Sequence, residues 1–256
     1  MSDHSMMKLG RYKSPQKLLA KCLHLADYLK VDELPPPPTY RDWTANIVQP
    51  FGMMMNDSIG DCTCAGAGHA IQTLTNAAGG PMQTITDADV LAAYEAITGY
   101  NPKDPSSDNG ACLVDVLNYW LKYGIGGHKI AGFVTVNAQN QQHIQAACEF
   151  FGGTYSGVGL PITAQAQDVW DVPATGLSGE GAPYSWGGHC IWVPAYFTCI
   201  TWGQRQEFTP AFALAYIDER HAIVTTDFIN KATAASPDGF KFQQLQDDIQ
   251  QIKDAA

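Results

Sequence analysis

The chain has 256 residues, of which 45% are hydrophobic and only 16% charged, and its formal net charge at pH 7 is −10. This composition predicts a globular protein, either one large domain or two lobes that share a core. The acidic balance argues against a nucleic acid partner, and no apolar run approaches the roughly 20 residues of a membrane helix.

Residues 1–34 are expected to form an N-terminal arm. Residues 14–30 have the spacing of an amphipathic helix, with Ser14 as its cap and Pro15 at its first position. The prolines at 35–38 form a stiff, extended boundary between this arm and the body. The start of the arm lacks the pattern of a signal peptide, so we expect a cytoplasmic protein. The arm is expected to pack on the body or on a partner protein.

The stretch from Asn56 to Leu74 carries the clearest chemical signal in the sequence. It begins with turn-forming residues and reaches Asp61, a residue favoured at helix N-caps. From Cys62 onward it is rich in alanine and has helical spacing, which predicts a buried helix with Cys62 in its first turn. The unpaired N–H groups and the dipole of a helix start stabilise a thiolate, which is the reactive form of cysteine.

Helices dominate the next part of the chain, which we expect to form a helical lobe over 35–155. The predicted elements are helices over 87–98 (capped by Thr86), 111–123 and 141–151, and a strand over 130–136. A β-rich lobe is expected over 156–230. Its predicted elements are strands over 155–160, 188–196, 197–202 and 221–225 and a helix over 210–219.

The remaining residues, 231–256, are predicted to form a C-terminal amphipathic helix for docking on the body or on a protein partner. Its apolar stripe comprises Phe242, Leu245, Ile249 and Ile252. Helices first and strands later predict an α+β fold of two lobes with a cleft between them.

One histidine of the β-rich lobe is placed to activate Cys62. His189 follows the glycine pair Gly187-Gly188, which leaves room for access, and it begins an apolar, strand-like run. An imidazole beside a thiol activates it for nucleophilic attack. We therefore expect Cys62 and His189 to pair, although 127 residues separate them. His69 lies about two helical turns from Cys62 and is expected to be structural.

The seven cysteines are scattered through apolar segments, which predicts mainly buried free thiols rather than a disulfide framework. The spacing of Cys62-Thr63-Cys64 is too short for the usual zinc site, and no second pair follows. No metal and no other cofactor is therefore expected.

A helix-start cysteine followed much later by a strand histidine resembles the papain-like cysteine peptidases, in which the histidine follows by about 130–150 residues. Four further motifs resemble that family in the same order: residues 37–43, Asn56 six residues before Cys62, residues 109–125, and Thr201-Trp202-Gly203. The resemblance covers residues 35–225 and is nearest to proteins encoded by bacterial viruses and prophages. It implies a papain-like two-lobed fold and hydrolysis of peptide or amide bonds through an acyl-enzyme on Cys62, with His189 as base.

Two positions depart from the family pattern. Asn56 stands where the family has an oxyanion-donating glutamine, so the resemblance implies an oxyanion role for Asn56, although its side chain is one methylene shorter. A turn-forming asparagine is the alternative. The family orients its histidine with an asparagine, whose position is taken here by Ile200. Thr201 is the remaining candidate to orient His189, and Trp202 the candidate to shield it from water.

Three functions remain open on the sequence alone. The first is a cysteine hydrolase acting on a peptide or amide. The second is a pseudoenzyme of the same fold, a structural or attachment component of a bacteriophage particle and therefore virion-associated. Four features favour this second function: Ile200, the low surface charge, the arm and the C-terminal helix. The third is a related acyl transfer by the same Cys–His pair.

Overall fold

A computed structural model of the chain describes residues 3–225 and 241–254. Within these residues, eight strands form one sheet in the order β1-β2-β8-β3-β5-β6-β7-β4. In chain order the strands are β1 (Leu23–His24), β2 (Gly132–Thr135), β3 (Thr154–Leu160), β4 (Val169–Trp170), β5 (Gly187–Val193), β6 (Thr198–Thr201), β7 (Gln204–Phe208) and β8 (Ile217–Val224). The pairs β1–β2 and β4–β7 are parallel, and the other neighbours are antiparallel.

Helices cover and flank this sheet, and their order along the chain confirms the predicted α+β class. In the described ranges they are α1 (Gln16–Leu19), α2 (Cys62–Ala77), α3 (Asp87–Thr98), α4 (Leu113–Lys122), α5 (Gln141–Phe151), α6 (Pro210–Tyr216) and α7 (Phe242–Asp254). Helices α2, α3 and α4 share one core cluster, whereas the later part of the chain is mainly strands.

Helix α2 lies at the centre of the protein and packs closely against β5. Every residue from Cys62 to Leu74 is buried. Gly66 permits the close approach, because a Cβ at that position would lie 3.0 Å from the Sγ of Cys190. A glycine at such a point leaves room that any side chain would fill. Because Gly66 lets α2 pack closely on β5, Cys62 at the start of α2 lies near the strand that carries His189.

Local signals in the sequence set several helix ends. Thr86 and Asp89 form a capping box at the start of α3, in which each side chain accepts the other residue's N–H. The hydroxyl of Thr209 caps α6 with Pro210 at its first position. Helix α5 ends at Phe151, and the next residue, Gly152, has a left-handed φ of 75°. The predicted helices over 87–98, 111–123 and 141–151 are confirmed, within one to two residues at each end.

The prediction of an amphipathic helix over 14–30 is wrong beyond the first turn. Helix α1 is only four residues long, and β1 pairs with β2 at one end of the sheet instead. Hydrogen bonding in the sheet overrides the helical propensity of this segment. Ser14 does not cap α1; its hydroxyl accepts the N–H of Val114 in the first turn of α4.

The β-rich part also differs from the prediction. The helix predicted over 210–219 ends at Tyr216, because β8 begins at the next residue and pairs with β3 and β2. Strand β7 was not predicted. The early start of β8 brings Asp218 and Glu219 into the sheet.

Helix α7 docks on the body of the same chain. Leu245 and Ile249 are buried in a core cluster with Leu25 and Tyr28, and the hydroxyl of Tyr28 donates to Asp248 at 2.8 Å. The side chains of the other two stripe residues, Phe242 and Ile252, lie outside the described set, as does the predicted lobe boundary at 230.

Candidate active site

Cys62 begins α2 at the junction between the helices and the sheet. Its side chain is fully buried, and backbone groups of Cys190 and Gly10 lie beside the thiol. The preceding residue, Asp61, is the N-cap, but its carboxyl caps no backbone N–H, which differs from the prediction. Neither oxygen of that buried carboxyl has a hydrogen-bond partner within the described ranges. Burial raises the pKa of Asp61 well above its ordinary value, although the nearby amide of Asn56 opposes the rise.

His189 lies near the start of β5 and is also fully buried. Its Nε2 lies 2.6 Å from the Oγ1 of Thr201, and its Nδ1 has no hydrogen-bond partner among the described residues. A proton on Nε2 that is donated to Thr201 leaves the lone pair of Nδ1 available. The ring is therefore held at one nitrogen and free to accept a proton at the other.

Strand register explains why Thr201 rather than Ile200 reaches the histidine. Trp192 of β5 pairs with Ile200 of β6. Because successive side chains of a strand point to opposite faces, His189 lies on the opposite face of β5 from Trp192. Thr201 accordingly lies on the face of His189, and Ile200 joins Trp192 in the core cluster around α2.

Trp202 covers the imidazole. Its ring stacks on His189 with centroids 4.4 Å apart and an interplanar angle of 23°. The ring of His4, in the arm, also stacks on Trp202, with centroids 5.1 Å apart and an interplanar angle of 28°. Trp202 has a φ of 46°, and Met54, Met55 and Tyr184 are the other non-glycine residues of the described ranges with positive φ. Residues with such strained backbone conformations tend to cluster at functional sites.

Asn56 lies in the loop before α2, and its amide points toward the arm. Its Nδ2 donates to the carbonyl oxygens of Ile59 at 3.3 Å and of Lys8 at 3.4 Å. The indole N–H of Trp202 donates to the same carbonyl of Lys8, also at 3.4 Å. The structure therefore places Asn56 close to the helix start, with one of its two contacts directed at the arm rather than at its own loop.

The opposite wall of the site is a loop before α4. The carboxylate of Asp108 accepts the N–H of Gly60, with the nearer oxygen at 2.9 Å, and the hydroxyl of Tyr94 at 2.6 Å. The Tyr94 oxygen in turn accepts the N–H of Gly110 at 2.9 Å. These bonds fix Gly60 and Gly110 on either side of a narrow gap.

The arm passes through this gap at Gly10. A Cβ on Gly10 would lie 1.7 Å from the oxygen of Gly60, so the arm passes the loop backbone to backbone. Ala111 donates its N–H to the carbonyl of Gly10 at 2.8 Å, and Tyr12 donates to the carbonyl of Ala111 at 3.3 Å. On the sheet side, Arg11 donates its N–H to the carbonyl of Gly188 at 3.1 Å. The arm is thus hydrogen-bonded to both walls of the cleft.

The side chain of Arg11 anchors the arm. Its two terminal nitrogens bond to the hydroxyl of Tyr184 at 2.6 Å, to Asp218 at 2.8 Å and to Glu219 at 2.6 Å. The Arg11 side chain is 0% exposed. A buried arginine with carboxylate partners on both terminal nitrogens is a strong attachment.

With the arm in place, the cysteine and the histidine are both held neutral. Burial raises the pKa of the Cys62 thiol to about 12. Burial, with a smaller contribution from the nearby His69 and His4, lowers the pKa of His189 to about 3. His69 itself is tied to the carbonyl of Gly52 at 3.1 Å, in keeping with its predicted structural role. The reactive thiolate–imidazolium form is therefore disfavoured in this state.

All seven cysteines are free thiols; Cys22 is partly exposed and the other six are buried. In residues 3–225 and 241–254, no cluster of three His, Cys, Asp or Glu side chains is arranged to hold a metal ion. The same residues contain no helix that is both long and apolar enough to span a bilayer.

Sequence reasoning did not identify the arm residues that fill the cleft, nor Tyr184, Asp218 and Glu219 around Arg11. The sequence does contain a signal for the residues around Arg11. The four polar residues from Asp218 to His221 lie between apolar residues in a strand. Charged residues in a buried strand are rarely left without partners.

No protein-family model matches the sequence, and no curated protein matches it. Solved structures of papain-like cysteine proteases match the fold. Xylellain, a cysteine protease from Xylella fastidiosa, superposes with a TM-score of 0.64 at 15% identity, covering 88% of this chain and 98% of that one. Procathepsin B S9 from Trypanosoma congolense gives a TM-score of 0.58 at 11% identity, covering 86% and 87%. Digestive procathepsin L 3 from Tenebrio molitor gives 0.53 at 12%, covering 74% and 71%.

The chain therefore has the papain-like fold that the sequence predicts, a mixed fold of helices and sheet. None of the structures named above supports the expected bacteriophage or virion attribution.

Proposed function

We propose that this chain is a cysteine peptidase that hydrolyses peptide or amide bonds through Cys62. One observation carries the proposal. Cys62 begins a helix beside β5, and on that strand His189 is fixed at Nε2 by Thr201 while its Nδ1 is unpartnered within the described residues. A nucleophile, a base and a group that orients the base form the arrangement used in nucleophilic catalysis. The fold shared with cysteine proteases supports it.

The proposed reaction uses Cys62 as nucleophile and His189 as base. His189 accepts the thiol proton at Nδ1, and the sulfur of Cys62 attacks the substrate carbonyl carbon. The C–N bond of the tetrahedral intermediate breaks, and the proton on His189 passes to the leaving amine. Water then attacks the thioester with His189 as base again, which releases the acid and restores the thiol.

The oxyanion of that intermediate needs donors at the helix start. The backbone N–H of Cys62 and the Nδ2 of Asn56 are the two donors proposed here. In this structure the Nδ2 of Asn56 donates to the carbonyl of Lys8 in the arm. At 3.4 Å this hydrogen bond is long, and catalytic hydrogen bonds commonly tighten only in the reacting complex.

We interpret this structure as a closed form of the proposed peptidase. Residues 4–14 fill the cleft and keep the thiol neutral, so the arm must leave before a substrate enters. Two of the similar structures are named procathepsins, which supports the interpretation of the arm as an inhibitory segment.

A papain-fold protein without turnover is the competing candidate, and Ile200 is the observation that favours it. The side chain of Ile200 is buried in the core and cannot orient an imidazole. The contact between Thr201 and His189 supports the active enzyme instead, because a hydroxyl group takes the place of the missing orienting amide.

Hydrolysis of a quenched-fluorescence peptide library by the full chain tests the proposal. The background variant is Arg11→Ala, chosen to release the arm. We expect hydrolysis that is lost when Cys62→Ala or His189→Ala is added. Cys64→Ala, which removes a buried thiol two residues along α2, is the matched control and should retain activity. Equal rates with and without Cys62, or no hydrolysis by folded protein, would contradict the proposal.

A further inference from the structure

Arg220 of β8 is a buried cation that the proposed reaction does not use. It is 2% exposed. The residue before it, Glu219, contacts Arg11 in the cleft, so Arg220 points to the opposite face of the strand. Burial lowers the pKa of Arg220 only to about 10, and the guanidinium is therefore charged at neutral pH. Arginine is almost never buried to this extent unless an opposite charge pairs with it.

Strand register places two hydroxyl groups of β3 beside this guanidinium. Ser156 pairs with Arg220, and Thr154 lies on the same face of β3 two residues earlier. The Nη1 of Arg220 donates to the Oγ1 of Thr154 at 3.0 Å and to the Oγ of Ser156 at 3.3 Å. The Nε of Arg220 is buried and has no hydrogen-bond partner among the described residues. One nitrogen is thus bound by neutral oxygens, and Nε is able to donate to a further acceptor.

The neighbouring strand adds apolar side chains to these surroundings. Ile191 and Val193 of β5 lie across from the two hydroxyl residues of β3 and face the same interior. Both are buried, and both belong to one core cluster. In such an environment an unbalanced charge is costly, because neither water nor protein dipoles screen it well.

Two thiols complete the surroundings of Arg220. Cys148 of α5 and Cys199 of β6 lie close enough to the guanidinium for a thiolate to stabilise its charge. Burial raises the pKa of both thiols, however, so neither carries a negative charge at pH 7. Within residues 3–225 and 241–254, Arg220 therefore has hydrogen-bond acceptors but no counter-charge.

The chemistry of this position suits a small anion with a single negative charge. A guanidinium binds anions through the N–H groups along its edges, and Nε lies on the edge that carries neither hydroxyl contact. One cation balances one unit of negative charge, so a doubly charged anion would leave an excess charge in an apolar interior. The near-complete burial of Arg220 excludes a peptide or a nucleotide.

We propose that Arg220, together with Thr154 and Ser156, forms a buried binding site for a monovalent inorganic anion of the size of chloride. This inference goes beyond the proposed peptidase function and does not rest on it. The bound anion would balance the guanidinium and stabilise the pairing of β8 with β3. Because Val158 of β3 pairs with His189 of β5, the anion would support the part of the sheet that holds the imidazole.

Thermal unfolding of the full chain, with gluconate exchanged for chloride at constant ionic strength, tests the site. A ligand that binds only the folded protein raises the unfolding temperature as its concentration rises. For the wild type we expect a rise of at least about 3 °C between low millimolar and a few hundred millimolar chloride, and a similar rise with bromide. Arg220→Met should show no rise, whatever its own unfolding temperature is. Lys122→Met, which removes an exposed positive charge from α4, is the control and should respond as the wild type does.

Bromide locates the site directly and requires no variant, so the test stands even if Arg220→Met does not fold. In wild-type crystals soaked in sodium bromide, we expect an anomalous scattering peak within hydrogen-bond distance of the Nε of Arg220. Bromide peaks at the protein surface alone would represent an adventitious ion only and would overturn the proposal.

The ultraviolet absorbance of thiolates tests the competing source of negative charge. A thiolate band at pH 7 that disappears in Cys148→Ser or in Cys199→Ser would show that the chain itself balances Arg220, and it would overturn the anion site. An unfolding temperature that does not depend on chloride in the wild type, or a dependence that Arg220→Met retains, would overturn it equally. None of these measurements involves hydrolysis, so failure of the anion site and failure of the peptidase proposal are distinguishable.

Discussion

The Oγ1 of Thr201 lies 2.6 Å from the Nε2 of His189, and the ring of Trp202 covers the pair. A hydroxyl group thus makes the contact with the imidazole at the position next to Ile200. The contact depends on strand register, because Thr201 and His189 lie on the same face of neighbouring strands. Thr201 is a positioning residue in this scheme, since it acts on the substrate only through His189.

Substituting Thr201→Val removes the hydroxyl and keeps the shape of the side chain. We expect kcat to fall about 10- to 100-fold, because the imidazole loses the bond that fixes its tautomer and orientation. The acidic limb of the pH–rate profile should shift as well, which a purely structural role would not cause. Thr201→Ser should restore most of the activity. Thr198→Val, on the same strand, is the control, and an unchanged rate in Thr201→Val would contradict the positioning role.

The Asn56→Ala substitution tests the oxyanion role. If the Nδ2 of Asn56 donates to the oxyanion, kcat should fall about 100- to 1000-fold with little change in KM. The substitution also removes the bond to the carbonyl of Ile59, so the thermal unfolding temperature must be measured in parallel. A rate loss that is matched by unfolding, or a KM effect alone, would leave Asn56 as a loop-forming residue.

We expect Glu219 to make the stability of the protein sensitive to acid. Burial opposes the charged form, yet His221, the N–H of Ser14 and the Arg11 guanidinium together lower the pKa of Glu219 to about 2. A folded-state pKa below the unfolded value of about 4.3 stabilises the protein above that value, and the contribution is lost as pH falls toward 2. This lowering of the pKa of Glu219 corresponds to roughly 3 kcal/mol in the free energy of unfolding. In urea titrations, Glu219→Gln should be less stable than the wild type at pH 7, and the two should converge near pH 2. A difference that does not depend on pH would contradict this role.

The close approach of α2 to the sheet is tested at Gly66. In Gly66→Ala the new methyl group would lie 3.0 Å from the Sγ of Cys190 and 3.3 Å from the ring of Tyr155. Overpacking of this kind typically costs about 1–3 kcal/mol. Gly80→Ala, where the nearest atom is 3.8 Å away, is the matched control. The free energy of unfolding from urea titration should fall only in Gly66→Ala; equal effects would show that α2 is not tightly placed.

The sequence predicts those features whose causes are local. Alanine-rich spacing predicted α2 from Cys62, and the Thr86 and Thr209 caps predicted the starts of α3 and α6. The spacing and order of motifs predicted the papain-like fold. Helix caps and amphipathic spacing act within a few residues, so they can be read without knowledge of the fold.

Features that depend on pairing between distant segments were not predictable in the same way. The helix over 14–30 was replaced by strand β1 because the edge of β2 offered hydrogen bonds. The contact of Thr201 with His189 depends on the register of β5 and β6. The arm in the cleft depends on backbone contacts between Gly10 and the glycines 60 and 110, which leave no periodic pattern in the sequence.

The rate of Cys62 alkylation by iodoacetamide as a function of pH tests the central claim most directly. It is followed by mass spectrometry in the wild type, in Arg11→Ala and in Arg11→Ala with His189→Ala. We predict slow alkylation of the wild type, because the arm buries a thiol with a pKa near 12. Arg11→Ala should react rapidly well below pH 8.5, and the loss of His189 should abolish that reactivity. Alkylation of Arg11→Ala with an ordinary thiol profile, unchanged by His189→Ala, would contradict an activated Cys62–His189 pair under the arm.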